Sequence, residues 1–226
     1  VAESLTARIQ ARSGDAILMT EGAGGGTVST AALYYGMHEI VEETINLKFI
    51  DACEALFAAG LVEKIHAMTD VTNGGVRGDA KEIARTARVK LVFEEAKLRA
   101  LANPKVLEML DRLKIDYLGV SLDALLIIAP PEFTDAILEC VRRKGVSIDI
   151  VGKVEEGEGA ELIVDGLIND FTPRFRESAY TPIKKLAGEK TPQNFEAMKK
   201  AVDEAAERAI EKKKLIIERL IARDTC

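Results

Sequence analysis

The stretch from Gly22 to Gly26 contains four glycines; it follows the apolar run AILM and precedes an alanine-rich segment. A glycine loop between a strand and a helix is typical of an anion site, because the first amides of a helix point outward with a partial positive charge. Glycine also occurs in strand-to-helix turns for geometry alone. Two interpretations therefore stay open, a phosphate-binding loop or a tight turn, and both concern Gly24, Gly25, Gly26 and Thr27.

A second candidate is the motif MTDVTNGG, residues 68–75, which places Asp70 at the end of a predicted buried strand. A carboxylate there can point into a cleft beside exposed amides. Such an aspartate suits Mg²⁺, a hard cation that takes oxygen ligands and often bridges to phosphate. In the alternative interpretation, Asp70 or Asn73 caps the helix that follows.

The third motif is GKVEEGEGAEL, residues 152–162. It reads as a strand, a short acidic glycine turn and a second strand, which predicts a β-hairpin. Taken alone, this motif indicates structure and no chemistry.

Strand and helix patterns alternate along the chain that must position these motifs. Apolar or alternating runs predict strands, and 3.6-residue periodicity predicts helices. The pattern indicates an α+β fold, in which helices pack on a mixed β-sheet. The predicted strands are 5–10, 15–20, 64–71, 89–95, 124–130, 146–154 and 160–166, and the predicted helices before residue 170 are 27–41, 50–62, 78–89, 104–115 and 132–145.

After residue 170 the sequence becomes irregular and rich in proline, and then a single helix is predicted over 192–222. Two interpretations of this helix stay open: it packs on its own domain, or it contacts a partner subunit. The apolar residues expected along one side of it are Phe195, Met198, Val202, Ala205, Ala209, Ile210, Ile217 and Leu220.

The composition restricts the class of protein. Of 226 residues, 47% are apolar and 30% are charged, which is typical of a globular chain. A net charge of −6 argues against nucleic-acid or anionic-membrane binding. Three scattered cysteines and two histidines predict a reducing cytoplasm and no zinc site. The absence of tryptophan and the many Glu and Lys residues are compatible with a thermophilic source.

In this order, the three motifs resemble the C-terminal domain of the aminoimidazole ribonucleotide synthetase-related superfamily. That group includes the purine-pathway cyclo-ligase, selenophosphate synthetase, thiamine monophosphate kinase and a hydrogenase-maturation protein, and the greatest similarity is to archaeal members without an assigned reaction. The resemblance covers residues 5–166. The matching residues are Gly14-Asp15, the loop Gly22–Gly26, the stretch Met68–Gly75, Gly152–Val154 and Gly157–Gly159.

The resemblance implies an α+β domain over residues 1–170 and an extension, 171–226, outside the common pattern. In full-length relatives an N-terminal domain dimerises and supplies most ATP and Mg²⁺ contacts. Because the sequence starts at Val1 in the middle of a structural pattern, we expect this domain to be absent and the fragment alone to have little or no activity. The implied partners are a small-molecule substrate and a second copy in a homodimer.

Site residues are also implied by position. Members of the superfamily use ATP to phosphorylate an oxygen of a substrate, or selenide, commonly through an acyl- or imidoyl-phosphate. Gly24, Gly25, Gly26 and Thr27 match the loop that receives a substrate phosphate, and Asp70 matches an aspartate that helps to hold Mg²⁺. Asp123-Ala124 stands where relatives often have Ser-x-Gly. The cleft is then expected to contain Asn73, Gly74, Gly75 and Asp123.

Three other functions are alternatives to this one. An ATP P-loop needs a lysine after the glycines, and none is present. A dinucleotide-binding G-x-G-x-x-G fails because Thr27 stands at the third glycine position. The third alternative is a non-catalytic binding or assembly module, which dimerises or recruits partners through the C-terminal helix.

Overall fold

Seven strands form one mixed sheet in the computed structural model, which describes residues 8–72, 74–173 and 194–224. The strand order is β2-β4-β1-β5-β3-β6-β7. Strands β3 and β6 pair in parallel, and the other neighbours pair antiparallel. The strands are β1 (Ala16–Thr20), β2 (Ala67–Asp70), β3 (Lys90–Glu94), β4 (Leu125–Ala129), β5 (Ile148–Glu155), β6 (Gly159–Val164) and β7 (Leu167–Asp170).

Helices cover both faces of this sheet, as the sequence predicts for an α+β fold. Side chains of β1 alternate between two cores: Ile17 and Met19 pack with α1, α4, α5 and α6, whereas Leu18 packs with α3 and α7. Strand β4 is buried along its whole length, as its continuous apolar run requires. The helices are α1 (Gly26–Tyr35), α2 (His38–Glu43), α3 (Lys48–Ala58), α4 (Gly75–Ala87), α5 (Glu95–Leu101), α6 (Pro104–Arg112), α7 (Pro131–Arg142) and α8 (Phe195–Asp224).

The hairpin predicted over residues 152–162 is wrong, because β3 lies between β5 and β6. Val92 of β3 pairs with Lys153 on one side and with Glu161 on the other. The Lys90 ammonium lies 2.9 Å from a Glu155 carboxylate oxygen and 3.6 Å from one of Glu161. One cation on the inserted strand therefore contacts an acid on each neighbouring strand, which favours this order over direct pairing of two acidic strands.

Two local predictions near the N-terminus are also wrong. Residues Arg8–Gln10, in the predicted strand 5–10, form a short 3-10 helix instead. The predicted helix 27–41 is interrupted after Tyr35, because Gly36 adopts the left-handed conformation at φ +69° and ends α1. The chain then begins again as α2 at His38.

The long helix α8 packs on the rest of the fold through α2. Ala205 is buried, the Arg208 guanidinium donates to a Glu42 carboxylate oxygen at 2.6 Å, and Lys212 donates to the Glu42 carbonyl. Several of the apolar side chains predicted to share its inner side are instead exposed: Phe195, Met198, Val202, Ile210 and Ile217. The contact with its own domain is thus real but partial.

No helix in the ranges described above is both long enough and apolar enough to cross a membrane. The division of the chain at residue 170 stays a prediction. Most of the irregular segment that follows, residues 174–193, lies outside the described residues, as does Asn73.

Candidate functional site

The candidate residues lie at one edge of the sheet. Strands β1 and β2 are each antiparallel to β4, so both end at the edge where β4 begins. The glycine loop follows the end of β1, Asp70 ends β2, and Asp123 lies just before β4. The topology therefore brings together motifs that are far apart in the sequence.

A single segment, residues 118–124, joins the two motifs by backbone hydrogen bonds. The Gly24 amide donates to the Leu122 carbonyl at 2.8 Å. The amides of Leu122 and Asp123 each donate to the Val71 carbonyl at 3.2 Å. The Val71 amide in turn donates to the Ala124 carbonyl at 2.8 Å. Loop, segment and strand end are thus fixed relative to one another.

Close packing against this segment explains some of the glycines. A Cβ atom on Gly22 would lie 2.3 Å from the Leu122 carbonyl oxygen, and one on Gly75 would lie 2.3 Å from that of Leu118. Gly75 also has φ +61°, which disfavours any other residue. At Gly22 and Gly75, close packing alone is enough to explain why the residue is glycine.

The accessible part of the loop is Gly25 and Gly26. Gly24 and the Thr27 side chain are buried, Gly25 is half-buried beside Ser121, and Gly26 is exposed. A Cβ atom on Gly26 would meet nothing within 4 Å. Packing therefore does not require glycine here, and the space in front of Gly26 is open.

Helix α1 begins at this open position. Its N-cap residue is Gly25, which has no side chain to satisfy the first amides, and the helix has no acidic residue in its first turn. No acidic side chain of the first turn therefore offsets the positive end of the helix dipole. An anion placed before Gly26 would complete this helix end.

Asp70 does not cap α4. The N-cap of α4 is Gly74, with φ +95° and no side-chain hydrogen bond to the helix. The Asp70 residue is exposed at the end of β2. The capping interpretation is therefore wrong for Asp70, whereas Asn73, the other residue considered for it, is not among the described residues.

The negative charge of Asp70 is felt by two other carboxyl groups. Burial raises the pKa of Asp123, and the charge of Asp70 raises it further. Asp123 also has φ +54°, a left-handed conformation that is uncommon for residues other than glycine. Carboxylates that repel one another at one edge provide a favourable environment for a cation.

Asp79, on the first turns of α4, is the second of these groups. The residue is only 8% exposed, and its Oδ2 atom has no hydrogen-bond partner in the described part of the chain. Its Oδ1 atom lies 3.3 Å from the Arg8 guanidinium. Burial raises the pKa of Asp79 to about 7; the Arg8 charge opposes this, and the charges of Asp70 and Glu82 add to it.

No sequence motif distinguishes Asp79 from other acidic residues. In the helical pattern it is only an acid near a helix N-terminus, where a carboxylate is favourable. Its Oδ1 atom contacts Arg8, which also donates to the Thr69 hydroxyl at 2.8 Å. That contact joins residues 61 positions apart in the chain, so no local pattern reveals it.

The carboxylates of this site could hold a cation that also binds a ligand, but they do not enclose a cation on all sides. No group of three or more His, Cys, Asp or Glu residues within the described ranges is arranged to hold a metal ion. Mg²⁺ commonly binds through one or two carboxylates and completes its shell with water and phosphate oxygens. Asp70 is available for that kind of binding.

A surface cavity of about 510 Å³ begins beside the glycine loop. Two residues that line it, Leu101 and Ser147, accept hydrogen bonds through their carbonyls from the amides of Gly22 and Glu21. Arg142 and Asp149 add charged groups to its wall. This volume lies within the usual range for small-molecule sites.

Comparison with known proteins agrees with the resemblance seen in the sequence. The family model of the AIR synthase related protein, C-terminal domain, matches residues 12–165. An uncharacterized protein of Methanocaldococcus jannaschii is 53% identical over 215 residues, which cover 95% of this chain and 46% of that protein. The chain thus spans about half the length of this relative.

Solved structures show the same fold at low identity. The hydrogenase maturation protein HypE of E. coli superposes with a TM-score of 0.60 and 18% identity, covering 79% of this chain and 55% of HypE. A HypE structure in complex with ATP gives a TM-score of 0.56 and 20% identity over 77% of this chain and 55% of that one.

The raised pKa of Asp79 predicts a specific pH dependence of stability. The unfolded chain releases this proton near pH 3.9, whereas the folded chain keeps it until about pH 7. The contribution of Asp79 to the free energy of unfolding therefore falls as the pH rises between these values, and is constant above them. In Asp79→Asn, which cannot titrate, the free energy of unfolding should fall less, or rise more, across this window than in the unmodified chain.

Urea unfolding at a series of pH values measures this difference. Asp135→Asn, at an exposed position on α7, is the matched control and should keep the original pH dependence. Parallel curves for the unmodified chain and Asp79→Asn would contradict the assignment.

Proposed function

We propose that this chain, which over residues 12–165 belongs to the family of the AIR synthase related protein, C-terminal domain, forms the substrate side of an ATP- and Mg²⁺-dependent enzyme. The enzyme phosphorylates or activates a small substrate through a phosphorylated intermediate. The observation that carries this proposal is the set of backbone hydrogen bonds linking Gly24, Leu122 and Val71. They hold an open helix N-terminus and the exposed Asp70 at the same edge of the sheet.

Each part has a distinct role in the proposal. Phosphoryl transfer depends on positioning and charge neutralisation more than on a covalent nucleophile. The amides at Gly25 and Gly26 would hold a substrate phosphate, and Gly74, Asp123 and the neighbouring Asn73 would border the cleft. Asp70 would hold Mg²⁺, which when bound neutralises phosphate charge. The buried Thr27 would contribute through its backbone.

The choice of ATP is supported by the solved HypE structure in complex with ATP. Because this chain spans about half of its relative, we assign ATP binding to a domain that the longer protein adds. In this division the chain supplies a substrate-binding domain over residues 1–170 and an extension over 171–226. Screening of phosphate-bearing and carboxylate-bearing candidates for ADP formation by the full-length protein identifies the substrate.

Asp70→Ala in the full-length protein should raise the Mg²⁺ concentration needed for half-maximal ADP formation at least about tenfold, because a direct ligand is lost. The midpoint of thermal unfolding should stay the same or rise slightly. Asp70 is exposed, and its removal relieves repulsion on Asp79 and Asp123.

The control is Asp135→Ala, an exposed carboxylate on α7 outside the cleft. Calorimetric titration with ATP and Mg²⁺ provides a readout that needs no substrate. A loss of thermal stability in Asp70→Ala with unchanged Mg²⁺ dependence would show that Asp70 is structural. Absence of both heat and ADP formation in the unmodified protein would overturn the enzyme proposal itself.

A second variant tests the glycine loop without disturbing the fold. Gly26→Asp places a carboxylate in open space at the first position of α1. The helix dipole favours it there, so the free energy of unfolding should be unchanged or up to about 1 kcal/mol higher. The same charge repels a phosphate, so binding of inorganic phosphate or a phosphorylated candidate should weaken.

Gly26→Asn is the neutral control of similar size, and its phosphate affinity should lie much closer to that of the unmodified chain. Titration calorimetry at low salt measures both variants. Equal phosphate affinity for Gly26→Asp and Gly26→Asn would argue against an anion at this helix end.

We also propose that α8 mediates a homodimer, which would accompany the enzyme or, in the alternative function, an assembly module. Although α8 packs on α2, its side chains of Val202, Ile210 and Ile217 remain exposed. Exposed apolar stripes of this kind mark contact surfaces. Sedimentation equilibrium of this 226-residue chain alone should show a dimer that Ile210→Glu/Ile217→Glu converts to monomer, whereas the exposed control Glu211→Lys leaves it intact. A monomeric unmodified protein would contradict this proposal.

A further inference from the structure

A second cavity, of about 370 Å³, lies beside the C-terminal half of α4. We call it the basic groove and define it by Lys81, Arg85 and Arg88 on α4, facing Gly159, Ala160 and Thr172. The cleft described above lies at the other end of the same helix. At a rise of 1.5 Å per residue, Gly75 and Arg85 are about 15 Å apart along the helix axis.

The three cations of the groove lack acidic partners among the residues that the structure describes. Lys81, Arg85 and Arg88 are exposed, and none forms an ion pair with any residue in the described ranges. Lys81 and Arg85 are one turn apart on α4, Arg88 directly follows the last residue of the helix, and all three line the same cavity, where like charges repel. Elsewhere on α4, by contrast, Arg77 contacts Asp116 at 2.7 Å and Glu82 contacts Arg8 at 2.5 Å.

The backbone at Arg88 gives independent support for a role of its side chain. Arg88 ends α4 in the left-handed conformation, at φ +56° and ψ +50°, and its amide donates to the Ala84 carbonyl. Glycine is the favoured residue at such a position, because a Cβ atom is strained there. A long cation at a strained position beside a cavity points to a ligand that uses the cation.

We propose that the basic groove binds a small molecule with two or more phosphate groups, at a site separate from the proposed catalytic cleft. Guanidinium groups match phosphate oxygens in pairs, and three clustered cations favour a ligand of multiple charge. Ala84 and Ala160 give the groove apolar walls, and its volume is within the small-molecule range.

No acidic side chain in the described ranges pairs with the cations of the groove. Residues 174–193, which follow the groove residue Thr172 closely, contain five basic and two acidic side chains. The acid that borders the groove is Glu158, which forms no ion pair with the three cations. A mobile anion from solution is therefore the occupant to which the charges of the groove point.

Titration with inorganic pyrophosphate at low salt tests the proposal. Lys81→Gln/Arg85→Gln should weaken pyrophosphate binding at least about tenfold, because two charge-assisted contacts are lost. Arg112→Gln/Lys144→Gln is the matched control: it removes the same two charges from exposed positions that form no ion pair with the described residues, and should bind as the unmodified protein does. Glu158→Gln should tighten binding.

Arg88→Gly separates binding from helix stability. Cations near a helix C-terminus also stabilise the helix through its dipole, so a purely structural role for Arg88 needs to be distinguished. Glycine relieves the left-handed strain, so the thermal midpoint should stay the same or rise, while pyrophosphate affinity falls several-fold. A fall in stability with unchanged affinity would show that Arg88 is only structural.

Amide chemical shifts locate the bound pyrophosphate. On titration, the amides of Gly159 and Thr172 should move, and they should move equally in Asp70→Ala, since the two sites are separate. Equal affinities for the groove double variant and its control would overturn the proposal. So would shifts confined to Gly25 and Gly26, or tight binding of an oligonucleotide by a protein that does not bind pyrophosphate.

Discussion

The close contact of three backbone segments at one edge of the sheet is the constraint on which the candidate site depends. The segment 118–124 accepts a hydrogen bond from the glycine loop and exchanges others with Val71. A side chain on Gly22 or Gly75 would collide with its carbonyl oxygens. The fold therefore requires glycine at these two positions whether or not a ligand binds. What remains for chemistry is the open helix end at Gly26 and the carboxylate of Asp70.

The electrostatics of this edge oppose folding, which is typical of functional sites. Asp70 raises the pKa of both Asp79 and Asp123, and Asp79 has a buried oxygen without a partner in the described ranges. Arg8 offsets part of this repulsion through its contact with Asp79. A structure selected for stability alone would separate such groups or pair them fully. In the proposed function, a cation held by Asp70 would offset the repulsion that Asp70 exerts on Asp79 and Asp123.

Local sequence patterns predict the helices and strands of this fold better than they predict which strands pair or which distant residues meet. Continuous apolar runs and amphipathic periods predicted most strands and helices, because both depend on burial that the pattern itself records. The hairpin prediction after Gly152 is wrong because strand periodicity does not reveal which strands pair, and β3 lies between β5 and β6. Asp79 is not apparent from the sequence because its contact with Arg8 joins two distant parts of the chain. The interruption at Gly36 was visible as a glycine, but a helix often tolerates one.

Helix α4 links the two regions that carry the proposals. Its N-terminal turns hold Gly75 against residue 118 and bury Asp79 beside the cleft, whereas its last turns carry Arg85 and Arg88 at the groove. The helix dipole favours this division, since it is positive near the carboxylates and negative near the cations. Between these ends, Val76, Ala80 and Ile83 are fully packed in the core. Core packing of the middle of α4 therefore fixes the cleft and the basic groove at opposite ends of one helix.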